Sequence, residues 1–389
     1  MKLSGLKVLD LSAFLPGPHM TLMMADHGAD VVMIEPANGT GEPTREIGWK
    51  TADGVSVWFR NIARGKRSLA LNLKDPDGQA LLHALAREAD VVVEAFRPGV
   101  AKRLGADYET LSAINPRLVY CSISAFGQDG AYAMKPAHDL TVQALAGLAD
   151  LNRGLEDGKP ASPNMPVADM AASLMALSAV LMALYRRQQT GEGDFIDLAM
   201  YDAALAWTPN VTGPVFAEDA HPPVKDMRSF GGAAMYHVYE TKDEKHLVLG
   251  GSEIKFAANL LEALGRPDLL HFARLEPGPD QAPLRDYFKE TFASRTLAEW
   301  SDFLKDIDVC WAPVRSLKDA FDDPHTRARG MVFEDAAGNR HIGPPIRFAK
   351  EPPQPDPSVP GFGAHSEALA REAGFDPERI AEMKARGVI

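Results

Sequence analysis

Residues 6–36, LKVLDLSAFLPGPHMTLMMADHGADVVMIEP, decide the fold. Val8, Leu9 and Leu11 begin a buried strand, and Pro16-Gly17-Pro18 breaks it, because proline has no N–H to give to a sheet. The apolar run at 22–25 is helical, Gly28 ends it, and residues 31–34 read as a second strand. Strand, helix and strand at this spacing make a βαβ unit, whose two strands lie parallel with a right-handed crossover. The rhythm repeats downstream, with a helix over 79–88 and strands at 90–94 and 118–124. Recurrence of such units predicts an α/β fold built on an open, doubly wound parallel sheet. After the first strand, PGPH stands where a dinucleotide site would have G-x-G-x-x-G. So proline-rich a turn cannot wrap a pyrophosphate with consecutive N–H groups, which disfavours a nicotinamide cofactor despite the Rossmann-like pattern.

The rest of the chain reads as one large and one small body. At 389 residues and 46% hydrophobic it is long enough for two cores. Residues 1–210 form the large Rossmann-like domain and 209–225 a proline- and glycine-rich linker. Residues 225–325 read as a smaller α+β domain, with a hairpin turning at 242–245 and helices at 255–264, 283–293 and 296–305. Residues 326–389 return to the large domain through a proline-rich strap at 344–363 and a final helix at 377–386. A net charge of −12 argues against a nucleic-acid partner. Cys121 and Cys310 have neither disulfide nor metal-site spacing, which fits a reducing, cytoplasmic setting and predicts no bound metal. The N-terminus reads as a strand rather than a signal region. The longest apolar stretch, 171–184, is too short for a bilayer and reads as a buried helix, so a soluble protein with no membrane partner is expected.

Four features carry candidate chemistry. The first is a basic island, RGKRSLALNLK at 64–74, with Arg64, Lys66, Arg67 and Lys74. Arg45 precedes it, and Arg97, Lys102 and Arg103 follow in FRPGVAKRLG. Clustered guanidinium and ammonium groups beside strand ends suit phosphate oxygens; the alternative is a solvated surface paired with carboxylates. The second is Asp169, before the long apolar helix of the middle segment (170–187). There it reads first as an N-cap, and second as a carboxylate beside helix N–H groups that also suit an oxyanion. The third is His138, next to Asp139, which can cap a helix starting at Leu140; its functional reading is a general acid/base near neutrality. The fourth is Glu253, at a strand-to-helix turn rich in glycine. Trp49, Trp58, Met227 and Tyr236 read first as core residues and second as the wall of a hydrophobic slot. No histidine has metal-ligand spacing, and neither a G-x-S-x-G elbow nor a P-loop is present.

Taken in order, these segments resemble the family III CoA-transferases (CaiB/BaiF), which include the α-methylacyl-CoA racemases. The resemblance runs through GLKVLDLS, PGP, ADHGADVVMIEP, RGKRSLALNLK and DVVVEAFRPGVAKRLG. It continues in SISAFGQDGAY, AHDLTVQALAGL, the PVADM helix with YRRQQTGEGDFIDLAM, and DVCWAPV. It implies an acyl-CoA enzyme, an interlocked homodimer, and a basic set (Arg45, Arg64, Lys66, Arg67, Arg97 and Arg103) on the coenzyme A phosphates. Coenzyme A would enter as part of the substrate, with no prosthetic group. Asp169 falls on the family's catalytic aspartate. In the transferases that aspartate is a nucleophile that passes through an aspartyl-CoA thioester. In the racemases it trades the α-proton with a histidine that a glutamate supports. His138, Asp169 and Glu253 match the racemase set, whereas GEPTREIGWKTADGVSVWF at 41–59 is transferase-like. The reacting residues favour racemisation of a 2-methylacyl-CoA, with CoA transfer between carboxylic acids as the alternative.

Overall fold

The N-terminal βαβ unit forms the middle of a six-stranded parallel sheet. The computed structural model describes residues 1–154 and 157–389. In chain order the sheet-forming part runs β1 (Lys7–Leu11), α1 (Pro16–Asp26), β2 (Asp30–Pro36), α2 (Val57–Ala63), β3 (Arg67–Leu71), α3 (Pro76–Ala86) and β4 (Val91–Glu94). It continues with α4 (Tyr108–Ile114), β5 (Val119–Ser124), α5 (Asp139–Leu145), α6 (Val167–Thr190), β6 (Asp194–Ala199) and α7 (Met200–Ala206). The strands lie in the order β3-β2-β1-β4-β5-β6, every pair parallel. The order reverses between β1 and β4, and a crevice opens beyond the carboxyl ends of strands at such a reversal.

Successive side chains point to opposite faces of a strand, so the apolar runs feed two cores. Val8, Val31, Val91, Val93 and Ile123 pack with Met20 and Met24 of α1 and with Ala168, Ala172 and Ala176 of α6. Leu9, Leu11, Val32, Ile34 and Val92 pack the other face, with Leu81 and Leu82 of α3.

Two expectations about helices need correction. The Pro16-Gly17-Pro18 segment does not only break the strand: α1 begins at Pro16, because proline is already set for the first helical turn, where its missing N–H would have no partner. Gly17 is required there, since a Cβ would lie 2.0 Å from Ser12 Oγ. Helix α6 spans 24 residues rather than the 18 of 170–187, and by length and composition it is apolar enough to cross a membrane. Its small-residue face is buried in the first core, while Leu174, Leu181, Met182 and Tyr185 are exposed.

The smaller unit comprises Ala149–Ser162 and Thr208–Asp323. It therefore starts before residue 225 and takes a separate excursion from the large body, so 1–210 is not one continuous domain. Strands β7 (Tyr236–Glu240), β8 (His246–Gly250) and β9 (Trp311–Pro313) form an antiparallel sheet in that order. Helices α8 (Ile254–Ala263), α9 (Ala282–Phe292) and α10 (Leu297–Leu304) complete its core around Phe288, Phe292 and Trp300. From Pro324 the chain belongs to the large unit again. It makes the hairpin β10 (Val332–Glu334) and β11 (Arg340–Ile342), then an extended stretch, then α11 (Ser366–Glu372) and α12 (Pro377–Ala385). Leu369, Ala370, Ile380 and Met383 of the last two helices close the second core.

Gly193, between α6 and β6, offers a test of how tightly the sheet edge is joined. A Cβ there would lie 1.9 Å from the Leu118 carbonyl oxygen. Gly193→Ala is expected to destabilise the protein by about 1–3 kcal/mol through forced backbone displacement, seen as a lower melting temperature.

Candidate active site

Two cavities open where the strand order reverses, and Ala13, after β1, and Phe96, after β4, line both. One, of about 450 Å³, is lined by Phe14, Trp58, Arg97, Lys135, His138, Asp139 and Asp169. The other, of about 820 Å³, is lined by the segments after β1, β2 and β3, including Asn38, Thr40, Asn72 and Lys74.

Asp169 is the third residue of α6, not its cap. The N-cap position is Pro166, which has no side-chain acceptor. The cap comes from the neighbouring helix: Asp139 Oδ1 accepts the N–H groups of Ala168 at 2.8 Å and Asp169 at 3.1 Å. Two donors expected to suit an oxyanion are thus already occupied. Among the described residues the Asp169 carboxylate accepts no hydrogen bond, and Asp169 lines the cavity. Burial pushes it up to about 7, and the negative charge of Asp139 adds to the effect.

That displacement has a stability consequence. From about pH 4, where an unfolded aspartate titrates, to about pH 7, the folded state holds the proton more tightly than the unfolded state. Stability therefore falls as pH rises through this window. Asp169→Asn removes the penalty. Its melting temperature is expected to exceed that of the wild type at pH 8 and to match it at pH 4, by scanning fluorimetry.

His138 occupies the N-cap position of α5, is exposed, and uses no side-chain atom to cap it. Asp139 opens that helix instead of capping it. The ring of Phe14 meets the His138 ring edge-on, with centroids 5.5 Å apart. Phe14 holds a left-handed φ of 66°, a strained state for a bulky residue, and its N–H donates to Glu42 Oε1 at 2.7 Å. Neither Phe14 nor Glu42 was visible as a site residue, because nothing in a side-chain pattern reports a positive φ. Lys135, three residues before His138 in the same loop, lines the cavity as well. Trp58 both packs against the small core of Met33, Phe59, Ile62 and Ala63 and lines the cavity, whereas Trp49 is 76% exposed. Glu253 lies in the smaller unit, exposed at the N-cap of α8 and without a side-chain capping bond.

The basic island divides sharply. Lys66 is fully buried, and its Nζ donates to Thr21 Oγ1 at 2.7 Å, Pro18 O at 2.9 Å and Asp10 Oδ2 at 3.2 Å. Arg64, 1% exposed, is paired with Asp26 at 2.7 Å. Arg67 starts β3, at the end of the sheet away from the cavities, and joins Asp30 and Glu372. Arg45 grips Glu35 through two bonds of 2.7 Å and stacks on Phe59. These four cations are committed to the protein's own carboxylates, so the expected single phosphate receptor does not form from them. Arg97, Lys135 and Lys74 are exposed and line the cavities. Arg103 is exposed beside Leu104, another lining residue. Among the described residues no cluster of His, Cys, Asp and Glu is placed to hold a metal ion.

Residues 3–366 match the model of "CoA-transferase family III". The chain belongs to this family. It is similar to the acetyl-CoA:oxalate CoA-transferase of Acetobacter aceti, 33% identical over 95% of both chains. It is also similar to the α-methylacyl-CoA racemase of Mus musculus, 31% identical over all of this chain and 98% of the racemase. Among solved structures, a CAIB/BAIF family protein from Brucella suis aligns with a TM-score of 0.83 at 29% identity, covering 95% of this chain and 99% of that one. This family III member is therefore an enzyme whose relatives include both transferases and racemases.

Proposed function

We propose that this enzyme racemises or epimerises a 2-methylacyl-CoA, with the acyl group beside Asp169 and the nucleotide end in the adjoining cavity. The observation that carries the reading is that His138 and Asp169 line one cavity. In the ionised form, Asp169 takes the proton from the α-carbon, and the C–H electron pair moves toward the thioester oxygen to give an enolate. His138, as imidazolium, returns a proton to the opposite face. The reverse reaction exchanges the two roles. A carboxyl group titrating near 7 is a better base at neutral pH than an ordinary aspartate, because general catalysis works best when the pKa lies near the working pH.

Incubation with one enantiomer of a 2-methylacyl-CoA in deuterium oxide is expected to incorporate deuterium at the α-carbon and to erode the optical purity. CoA transfer is the second reading. It is favoured by a carboxylate that accepts no hydrogen bond among the described residues, hence available as a nucleophile, and by Trp58 lining the cavity from the transferase-like segment. Absence of exchange, together with CoA moving to a free carboxylic acid and a hydroxylamine-trapped adduct at Asp169, would replace racemisation by transfer.

For the nucleotide end the proposal relies on Lys74 and Arg103 at the adjoining cavity, and on Arg97 next to Phe96, which lines both cavities, rather than on the whole island. Hydrogen bonds between charged groups contribute about 1.5–3 kcal/mol. Lys74→Ala and Arg97→Ala are each expected to raise KM by about 10- to 100-fold with kcat nearly unchanged, the signature of lost uniform binding. A homodimer, interlocked as in the resemblance, completes the proposal: Met182 and Tyr185 of α6 are 70% and 68% exposed, an apolar surface that a second copy would cover.

A further inference from the structure

A helix start leaves N–H groups without partners, and the residue at its own N-cap ordinarily supplies the acceptor. Helix α6 departs from this. Pro166 has no acceptor, and the N–H groups of Ala168 and Asp169 turn to a carboxylate that lies 30 residues upstream of Asp169, on another helix. That carboxylate is itself held. Asp139 Oδ2 accepts Gln143 Nε2 at 2.6 Å, and the same nitrogen reaches the Met165 carbonyl at 3.2 Å, just before α6 begins. Gln143 is only 2% exposed. The first turn of α5, Gln143, Met165 and the first turn of α6 thus close into one hydrogen-bonded ring around the base of Asp169.

We infer that Asp139 is a positioning residue: by capping α6 from a neighbouring helix it leaves the Asp169 carboxylate free in the cavity and offsets the helix's positive end there. The inference rests on the reading of Asp169 as the reacting carboxylate. Its electrostatic half follows from simple charges. A helix N-terminus is equivalent to about half a positive charge and favours a nearby carboxylate in its ionised form. A full negative charge lodged on those N–H groups cancels that preference and reverses it. Burial is the larger cause of the upward displacement of Asp169, and the charge of Asp139 acts in the same direction. The other titratable groups around the cavity are Arg97, Lys135 and His138, which line it, and from α1 His19, which bonds Ser173 Oγ one turn along α6. Burial pushes His19 down to about 4, with Lys66 and Arg64 adding, so at neutral pH it brings no charge. Asp139 is the other carboxylate among the residues lining the cavity.

The test separates charge from geometry. Asp139→Asn keeps an oxygen for the two N–H groups and removes the charge, while the amide nitrogen in place of Oδ2 gives up the bond from Gln143 Nε2. The carboxyl of Asp169, followed by 13C NMR in protein labelled at its aspartate carboxyl carbons and assigned by its loss in Asp169→Asn, is expected to titrate about one pH unit lower than in the wild type. The acidic limb of kcat/KM against pH is expected to move with it. A midpoint that stays in place, with activity lowered equally at every pH, overturns the electrostatic half and leaves Asp139 an ordinary cap. Asp139→Ala removes charge and cap together and is expected to lose a further tenfold or so in kcat, the order of effect of a small misplacement of a reacting group. A kcat equal to that of Asp139→Asn overturns the positioning half. The NMR titration needs no substrate, so it succeeds or fails independently of the proposed activity. The activity reading fails separately if Asp169→Asn still turns over substrate.

Discussion

Asp169→Asn is expected to lose about 10²- to 10⁴-fold in kcat, the range typical of a removed acid–base or nucleophilic group, while its affinity for coenzyme A stays that of the wild type. Few site residues permit so clean a replacement. The carboxylate accepts no hydrogen bond among the described residues, so the amide orphans no partner, and the backbone N–H of residue 169 keeps its bond to Asp139. What disappears is a basic or nucleophilic oxygen, required in either chemistry open to the family. An amide takes no proton near neutral pH and forms no acyl anhydride. Calorimetric titration with coenzyme A and a turnover assay on the same preparation separate the two effects. A variant that keeps a tenth of the activity would mean that the reacting carboxylate lies elsewhere, and Asp139, the other acid in the cavity, would be next to test.

The parallel sheet was readable because its strands are buried on both faces and therefore appear as short, nearly unbroken apolar runs. Residues 31–34 and 91–93 carry that signal plainly. The junction of strand and helix at Pro16 was harder, since proline marks the end of one element and the start of the next with equal force. The division into units could not be seen at 149–162, because composition does not say which body a loop packs against. At the site, His138 and Asp169 were both recognisable from their positions at helix starts, but what each does at its helix was not. The bond from Asp139 to residues 168 and 169 joins two helices, and no local pattern encodes it. The cations show the same limit most clearly. Arg67 and Arg64 look alike in sequence as phosphate ligands, yet their counter-ions, Glu372 and Asp26, lie 305 and 38 residues away. Charge type is local information; the choice of partner belongs to the fold.

Lys66 turns that last point into a measurement. Lys66→Ala is expected to destabilise the protein by about 3–5 kcal/mol, the cost of stranding a buried charge, rather than to weaken acyl-CoA binding in the molecules that remain folded. Its partner Asp10 sits in the central strand β1 with no exposure. Besides Lys66, Asp10 accepts the Ser12 N–H at 3.0 Å and the hydroxyls of Ser12 and Thr21. Hydroxyls and an N–H solvate this carboxylate but do not neutralise it, so without the ammonium the cluster holds a bare negative charge between the sheet and α1. Chemical denaturation followed by circular dichroism gives the stability, and KM measured well below the melting temperature gives the binding. The contrast with Lys74→Ala sharpens the comparison, because that lysine is exposed at the rim of the larger cavity. There KM should rise and the melting temperature stay level, whereas at position 66 the melting temperature should fall and KM stay level. Replacing both members, Asp10→Leu with Lys66→Met, should recover much of the loss, since a buried pair removed together leaves neither charge unpaired. Should Lys66→Ala instead raise KM at unchanged stability, the lysine must leave Asp10 for the substrate's phosphates, and the island would regain the role that its composition suggests.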